Sequence, residues 1–350
     1  ADISALDEIG ALRVLGQDNL QADGSNVLIG YVDTGIDYLN DVFKDRLGNT
    51  RIQAIWDQTD RTETDAANTY AHFGRVYEKD EIDRAIDADN NGENPYSYVA
   101  QRDTSGHGTL LASISAGSYT DGYVGVAPGA ELLVVKLKQS KQYLRDFFLI
   151  KDDVPAFEES DIMLALRFLE DYAIRLGKPL IIIFGLGSAN GSRTGASPLA
   201  EMMENLTKKP NISVITCMGN EANNKCHYKG TVMSALVPDV MEINVDGTGK
   251  GFTMEIWADS LDILSVSIES PSGEYVPRIP ARMGASMEYT FLYEGSTVTV
   301  DYQITENVAG MEVIFVRLKT PVEGTWKFYI YSLTNIKGSY NAWLPLKQFS

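Results

Sequence analysis

Four segments in the first two thirds of the chain are continuous apolar runs rich in β-branched residues. They are "NVLIGYV" at 26–32, "AELLVVKL" at 130–137, "PLIIIFG" at 179–185 and "NISVITCMG" at 211–219. Runs without polar alternation suit strands covered on both faces, as in a parallel sheet. Between the second and third runs, Ile162, Leu166, Leu169, Ala173 and Leu176 recur at helical spacing. The spacing predicts a helix with Ser160 as N-cap and Gly177 as stop, and Pro179 bars its continuation. Another helix is expected over 197–206, and a short one of small residues in "TLLASISAG". Strand–helix–strand alternation of this kind argues for an α/β fold with a doubly wound, mostly parallel sheet.

The pattern changes near residue 250. "DILSVSIESPSGEYV", "MEYTFLYEGSTVTVDYQI", "MEVIFVRL" and "GTWKFYIYS" are β-rich, and several alternate apolar with polar positions. "SPSGE" and "YEGS" read as turns between them. The expected division is an α/β core over 1–245 and a β-sandwich or jelly-roll-like unit over 246–350.

Composition narrows the functional classes. The 350 residues suffice for two domains. Thirty basic against 48 acidic residues give a net charge of −18, which opposes nucleic acid and anionic membrane surfaces. No run approaches the roughly 20 apolar residues of a membrane-spanning helix. Two cysteines, Cys217 and Cys226, cannot build a disulfide framework. The first residue is Ala1, so the chain is expected to start at a processed or truncated boundary.

Chemistry in an open parallel sheet gathers at the C-terminal ends of the strands. Asp33 stands there, directly after "VLIGYV". Alone it reads as a turn or capping carboxylate. His107, one of three histidines, lies between two glycines in "DTSGHGTLLASISAG". A strand-end aspartate and a glycine-flanked histidine, in this order, suggest an Asp–His pair. The carboxylate would orient the ring, and the ring would act as general base and then general acid. Asn220 comes after another buried strand in "VITCMGNEANN", where its amide could donate to an oxyanion. The alternative is a plain turn asparagine.

Together, "VLIGYVDTGID", "DTSGHGTLLASISAG", "GVAPGAELLVVKL" and "VITCMGNEANN" resemble the subtilisin-like serine proteases, the subtilases, in the family's order and over roughly residues 5–245. The resemblance implies that Asp33 and His107 match two triad members and that Asn220 matches the oxyanion-hole residue. It implies that Gly185, Leu186 and Gly187, in "FGLGS", pair with an extended substrate backbone. It implies that Cys217, Met218 and Gly219 form one wall of the pocket for the side chain before the cut. "LDILSVSIESPSGE" and "YNAWLP" are similar to the inserted jelly roll of a clostridial subgroup that includes the Csp germination proteases.

The family's nucleophile, a serine in a "GTSxA" motif, does not occur in the sequence. Ser286, in "MGASMEYT", is the nearest decoy, but the next stretch, "EYTFLYEGSTVTVDY", alternates like strands. Ser350 has no flanking motif. Three explanations stay open. The chain is the first part of a longer protease whose C-terminal fragment carries the serine, leaving this core incomplete. It is a pseudoprotease that senses or scaffolds peptides. Or an unusual serine substitutes. The first is preferred, because Asp33, His107 and Asn220 are all present. It implies a peptide or protein substrate, a cleaved propeptide, and a secreted, spore or cell-envelope setting in a bacterium. A different rival is a binding protein whose function resides in the β-rich half.

Triad catalysis requires no cofactor. A structural calcium is the one open case: Asp87, Asp89 and Asn91 alternate in "DADNNGEN" like the start of a calcium loop, but Tyr98 stands where that loop would end in Glu. The other reading is a polar surface turn. Cys226 and His227 are too few for a metal site.

Overall fold

A computed structural model describes residues 3–17, 19–20, 22–61, 71, 73–120, 122–247, 249–258, 263–282, 284–304, 311–333 and 338–347. The chain divides into two compact units. The first comprises Ala1–Gln139, Phe157–Leu186 and Leu199–Met218. The second comprises Ser140–Ala156, Gly187–Pro198 and Gly219–Ser350.

The first unit is built on a six-stranded sheet with strands β1 (Leu28–Asp33), β2 (Ile52–Asp57), β3 (Arg75–Glu78), β4 (Glu131–Lys136), β5 (Leu180–Phe184) and β6 (Ile212–Thr216). Their order is β3-β2-β4-β1-β5-β6, parallel throughout except for β3 at one edge. The helices of the chain are α1 (Ile3–Glu8), α2 (Ala11–Leu15), α3 (Lys79–Asn90), α4 (His107–Ala116), α5 (Gln142–Phe147), α6 (Glu159–Leu176) and α7 (Pro198–Thr207) among the described residues. Gly177, at φ +64, closes α6 as the sequence predicts, whereas the N-cap is Glu158 rather than Ser160.

The two faces of β1 go to different helices. Leu28 and Val32 pack with Leu133, Val135 and the α6 residues Ala165, Leu166 and Leu169. Ile29 and Tyr31 pack with Leu132, Val134, Ile82 and Ile86 of α3, and Ala112 and Ala116 of α4. Successive side chains of a strand alternate in direction, so Asp33 faces the α3/α4 side. The apolar run of β1 is thus two interleaved faces, each with its own helical cover, whereas on the edge strand β6 one face, with Ser213 and Ile215, is exposed.

The second unit is a two-sheet antiparallel sandwich. Its strands are β7 (His227–Val232), β8 (Asp239–Val245), β9 (Gly251–Ala258), β10 (Leu264–Glu269), β11 (Tyr275–Ile279), β12 (Ser286–Thr290), β13 (Thr297–Ile304), β14 (Glu312–Lys319), β15 (Gly324–Ser332) and β16 (Gly338–Trp343). One sheet has the order β11-β10-β15-β8 and the other β12-β13-β14-β9-β16-β7. Both contribute to one core, which includes Met254, Val266, Val300, Trp326 and Tyr340. Here the structure departs from a boundary at 245. β7 pairs with β16, and β8 with β15, so the second unit begins at Gly219 and takes in two earlier segments. These pairings span about a hundred residues, and local patterning carries no information about them.

Ser286 opens strand β12, not a helix. Ser350 lies outside the described residues. No helix among the described residues is long and apolar enough to cross a membrane.

Trp56 is fully buried, packs against Phe73 and Phe168, and donates its indole N–H to the Phe73 carbonyl at 2.8 Å. Trp56→Ala should cost about 3–5 kcal/mol in urea unfolding. Leu47→Ala, at a side chain 86% exposed, should change stability by less than about 0.5 kcal/mol.

Candidate active site

Asp33 ends β1, and His107 begins α4. The two side chains meet: His107 Nδ1 lies 2.8 Å from Oδ1 and 3.0 Å from Oδ2 of Asp33. Asp33 is only 2% exposed. A buried carboxylate is costly unless donors surround it. Asp33 takes one from His107 and another from the Thr34 backbone N–H at 2.7 Å. Since the carboxylate accepts, Nδ1 carries the hydrogen and Nε2 is left as the basic nitrogen. The His107 side chain is 45% exposed, and Nε2 has no partner among the described residues. A ring held by one nitrogen and open at the other can take a proton and return it.

Two glycines permit this approach. Gly106 precedes α4 at φ +78, where a side chain would be strained. At Gly108 a Cβ would fall 2.2 Å from the Gly35 carbonyl oxygen and 3.2 Å from the Asp33 Cβ. Only glycine lets the first turn of α4 lie against the exit of β1.

Asp103 fixes the loop between them, and the motif and spacing arguments do not single it out. Its carboxylate accepts from Thr34 Oγ1 (2.8 Å), Gly106 N (2.9 Å), Thr109 N (2.9 Å) and Thr109 Oγ1 (2.7 Å). Burial by itself would push the Asp103 carboxyl up. The hydrogen bonds from Thr109, Gly106 and Thr34 outweigh it and hold the group below the ordinary carboxylate range. The signal that could have found it is the turn chemistry of an aspartate shortly before Ser-Gly in "DTSGHGT". Deeper along α4, the hydroxyls of Tyr31 and Ser115 meet at 2.6 Å. Arg51, buried, donates to the carbonyls of Ala116 and Ala130.

Gly185 also belongs here. A Cβ on it would lie 2.5 Å from Leu111 Cδ1 and 3.5 Å from Asp33 Oδ2. Gly185, Leu186 and Gly187 come after β5, outside the strand ladders. Cys217 is a free, exposed thiol and Met218 is fully exposed, both just past β6. Gly219 and Asn220 lie in the loop that opens the main segment of the second unit, where Asn220 is exposed.

The calcium candidates do not form a loop. Asp87 and Asp89 lie in the last turn of α3, and Asn91 caps it. Positions two apart on a helix point to different faces, so the alternation that suits a loop scatters these donors. Among the described residues no cluster of three or more His, Cys, Asp or Glu is placed to hold a metal ion. Cys226 instead contacts Glu221 at 3.6 Å, and His227 stacks on Trp343.

Comparison with known proteins agrees with the geometry. The profile described as Subtilase family matches residues 24–253. The chain belongs to the subtilase family. Its fold matches that of the CspB protease of Clostridium perfringens with a TM-score of 0.82 and 25% identity, covering 99% of this chain and 68% of that one. An S41 psychrophilic protease and sphericase align with TM-scores of 0.35 each, at 22% and 20% identity, over 61% of this subtilase and 52% and 53% of their own chains. At that level they carry no argument. No curated protein matches. Family membership makes this subtilase a serine peptidase by type, acting on peptides or proteins.

Asp103→Asn should destabilise the subtilase by about 1–3 kcal/mol at pH 7. The lowered pKa means that Asp103 stabilises the fold above its unfolded value of about 4 and loses that effect as pH falls through its folded value. Urea unfolding should therefore show the gap between variant and parent closing in acid. Gly108→Ala should cost about 1–3 kcal/mol by overpacking at the Gly35 carbonyl.

Proposed function

We propose that this subtilase is an endopeptidase with an Asp33–His107–serine triad whose serine comes from a segment outside these 350 residues. The observation that carries the reading is the 2.8 Å contact from His107 Nδ1 to a buried carboxylate at a strand's C-terminal end. The sequence contains no "GTSxA". β6 supports the same reading. It is an edge strand, and Ile215 on it is 53% exposed. An open apolar edge suits completion by a further element.

In this reading His107 Nε2 takes the serine proton as its oxygen attacks the peptide carbonyl carbon. The same proton then goes to the departing amine, which leaves an acyl-enzyme, and water hydrolyses the ester. Asp33 holds the ring and favours its charged form. Asn220 and a backbone amide donate to the oxyanion. Gly185–Gly187 pair with the substrate backbone, and Cys217–Gly219 line its side-chain pocket. Maturation by loss of a propeptide, and work in a secreted, spore or envelope setting, belong to the same proposal.

A fluorophosphonate probe on the assembled protein tests it. A serine outside residues 1–350 should be labelled, and His107→Ala should abolish labelling. Asp33→Asn should slow peptide hydrolysis by about 10⁴-fold. An assembled, folded protein that takes no probe would overturn the protease reading and favour a peptide-binding scaffold.

A further inference from the structure

Three side chains form one row across three neighbouring strands of the second unit. Trp343 of β16 is the direct cross-strand partner of His227 on β7 and of Glu255 on β9. The His227 ring stacks on the Trp343 indole, with centroids 3.8 Å apart and planes at 14°. His227 Nε2 lies 2.9 Å from Asn341 Oδ1, which fixes the ring's rotation. The Arg193 guanidinium lies over the same indole, 4.1 Å from its centroid. Glu255, buried, accepts from the Gly191 backbone N–H at 2.8 Å and from Trp257 Nε1 at 2.9 Å. The Trp343 indole N–H is buried without a partner among the described residues. The ring is therefore held by its faces rather than by its polar edge.

The row matters for the two loops it holds. Gly191 and Arg193 lie in Gly187–Pro198, the segment that continues directly from the proposed substrate-pairing residues. His227 ends the loop that starts with Gly219 and Asn220. That loop is tied further by Glu221, which accepts from Asn224 Nδ2 at 2.7 Å and from Lys347 N at 3.3 Å, and by the Leu344 N–H to the Cys226 carbonyl at 2.9 Å. Both loops are long, exposed in part, and continuous with groups that must be placed to a fraction of an ångström for acyl transfer.

We infer that Trp343 is a positioning residue. It ties the substrate-edge loop through Arg193, and the oxyanion loop through His227, to one rigid row of the sandwich, with Glu255 reinforcing the first tie. The inference rests on the protease reading. The two ties act on different steps: the Arg193 side on binding of an extended peptide, and the His227 side on stabilisation of the tetrahedral adduct.

The test uses the full-length assembled enzyme, an extended peptide substrate and a fluorophosphonate, which forms a tetrahedral adduct without needing the substrate edge. Trp343→Ala should raise KM and lower kcat, each by about tenfold, as expected for loops displaced by less than about 1 Å. Arg193→Ala should raise KM while leaving kcat and the rate of probe labelling near the parent's. His227→Ala should lower kcat and probe labelling with KM nearly unchanged. Trp343→Phe, which keeps an aromatic face for both partners, should restore most of each. Trp343→Ala with parental KM and kcat would overturn the inference alone. So would losses in all variants that track their melting temperatures without the KM-against-kcat split. A parent that neither cleaves peptide nor takes the probe would overturn the protease reading, and this inference with it.

Discussion

A carboxylate buried at the end of a parallel strand is the constraint on which the site depends. Asp33 is tolerable there only because two hydrogens point at it, one from its own chain at Thr34 and one from His107. The second donor must arrive from 74 residues away. That requirement sets the position of α4, and the position of α4 sets its sequence. The helix must begin against the β1 exit, so Gly108 can carry no side chain, and the chain must turn sharply before it, so Gly106 adopts a positive φ. The pair is worth less as a source of stability than as a specification of geometry, since ion pairs out of water regain little beyond their desolvation cost.

One hydrogen bond does not hold a helix. α4 is fixed at three further places. Asp103 binds its first turn through Thr109 and the preceding loop through Gly106, while also taking the Thr34 hydroxyl from the β1 side. Tyr31, on the same face of β1 as Asp33, meets Ser115 two turns along. Arg51 places a cation at the last carbonyls, where the helix dipole is negative. The imidazole is thus oriented by Asp33 and positioned by the rest, and the two jobs fall to different residues.

Local features are legible in the sequence, and distant pairings are not. The inner parallel strands β1 and β4 are legible because both faces of each are covered, which removes polar alternation, and α6 because its apolar stripe is regular and Gly177 stops it; β6 reads the same way in sequence although Ser213 and Ile215 on one of its faces are exposed. Asp33 and His107 are legible because a strand end and a glycine-flanked helix start are local features. The limits of the second unit are hidden, because β7 and β8 are short strands whose partners lie about a hundred residues on. The Asp87–Asp89–Asn91 alternation misleads because spacing along the chain does not distinguish a loop from the last turn of α3. The Glu255–Trp343–His227 row has no signature at all, since it exists only in the strand register.

The two faces of the central sheet carry different duties, and the division explains why the chemistry lies where it does. On the α6 face, large side chains such as Trp56, Phe168 and Leu169 fill the space, and Gly30 is bare so that Leu169 can reach the sheet. The buried carboxylates of α6, Asp161, Glu170 and Asp171, are instead held in ion pairs with Lys138, Arg167 and Lys209. On the opposite face α4 packs through Ala112 and Ala116 and its own Gly108, small residues that bring backbone to backbone. Close backbone approach supplies N–H groups and short polar side chains at the strand ends, and these are what a buried charge and a proton-transferring ring require. Asp33 takes this side by coming after Ile29 and Tyr31 in the strand's two-residue period, and Tyr31, Tyr38, Phe43 and Tyr77 supply the bulk around the small residues of α4.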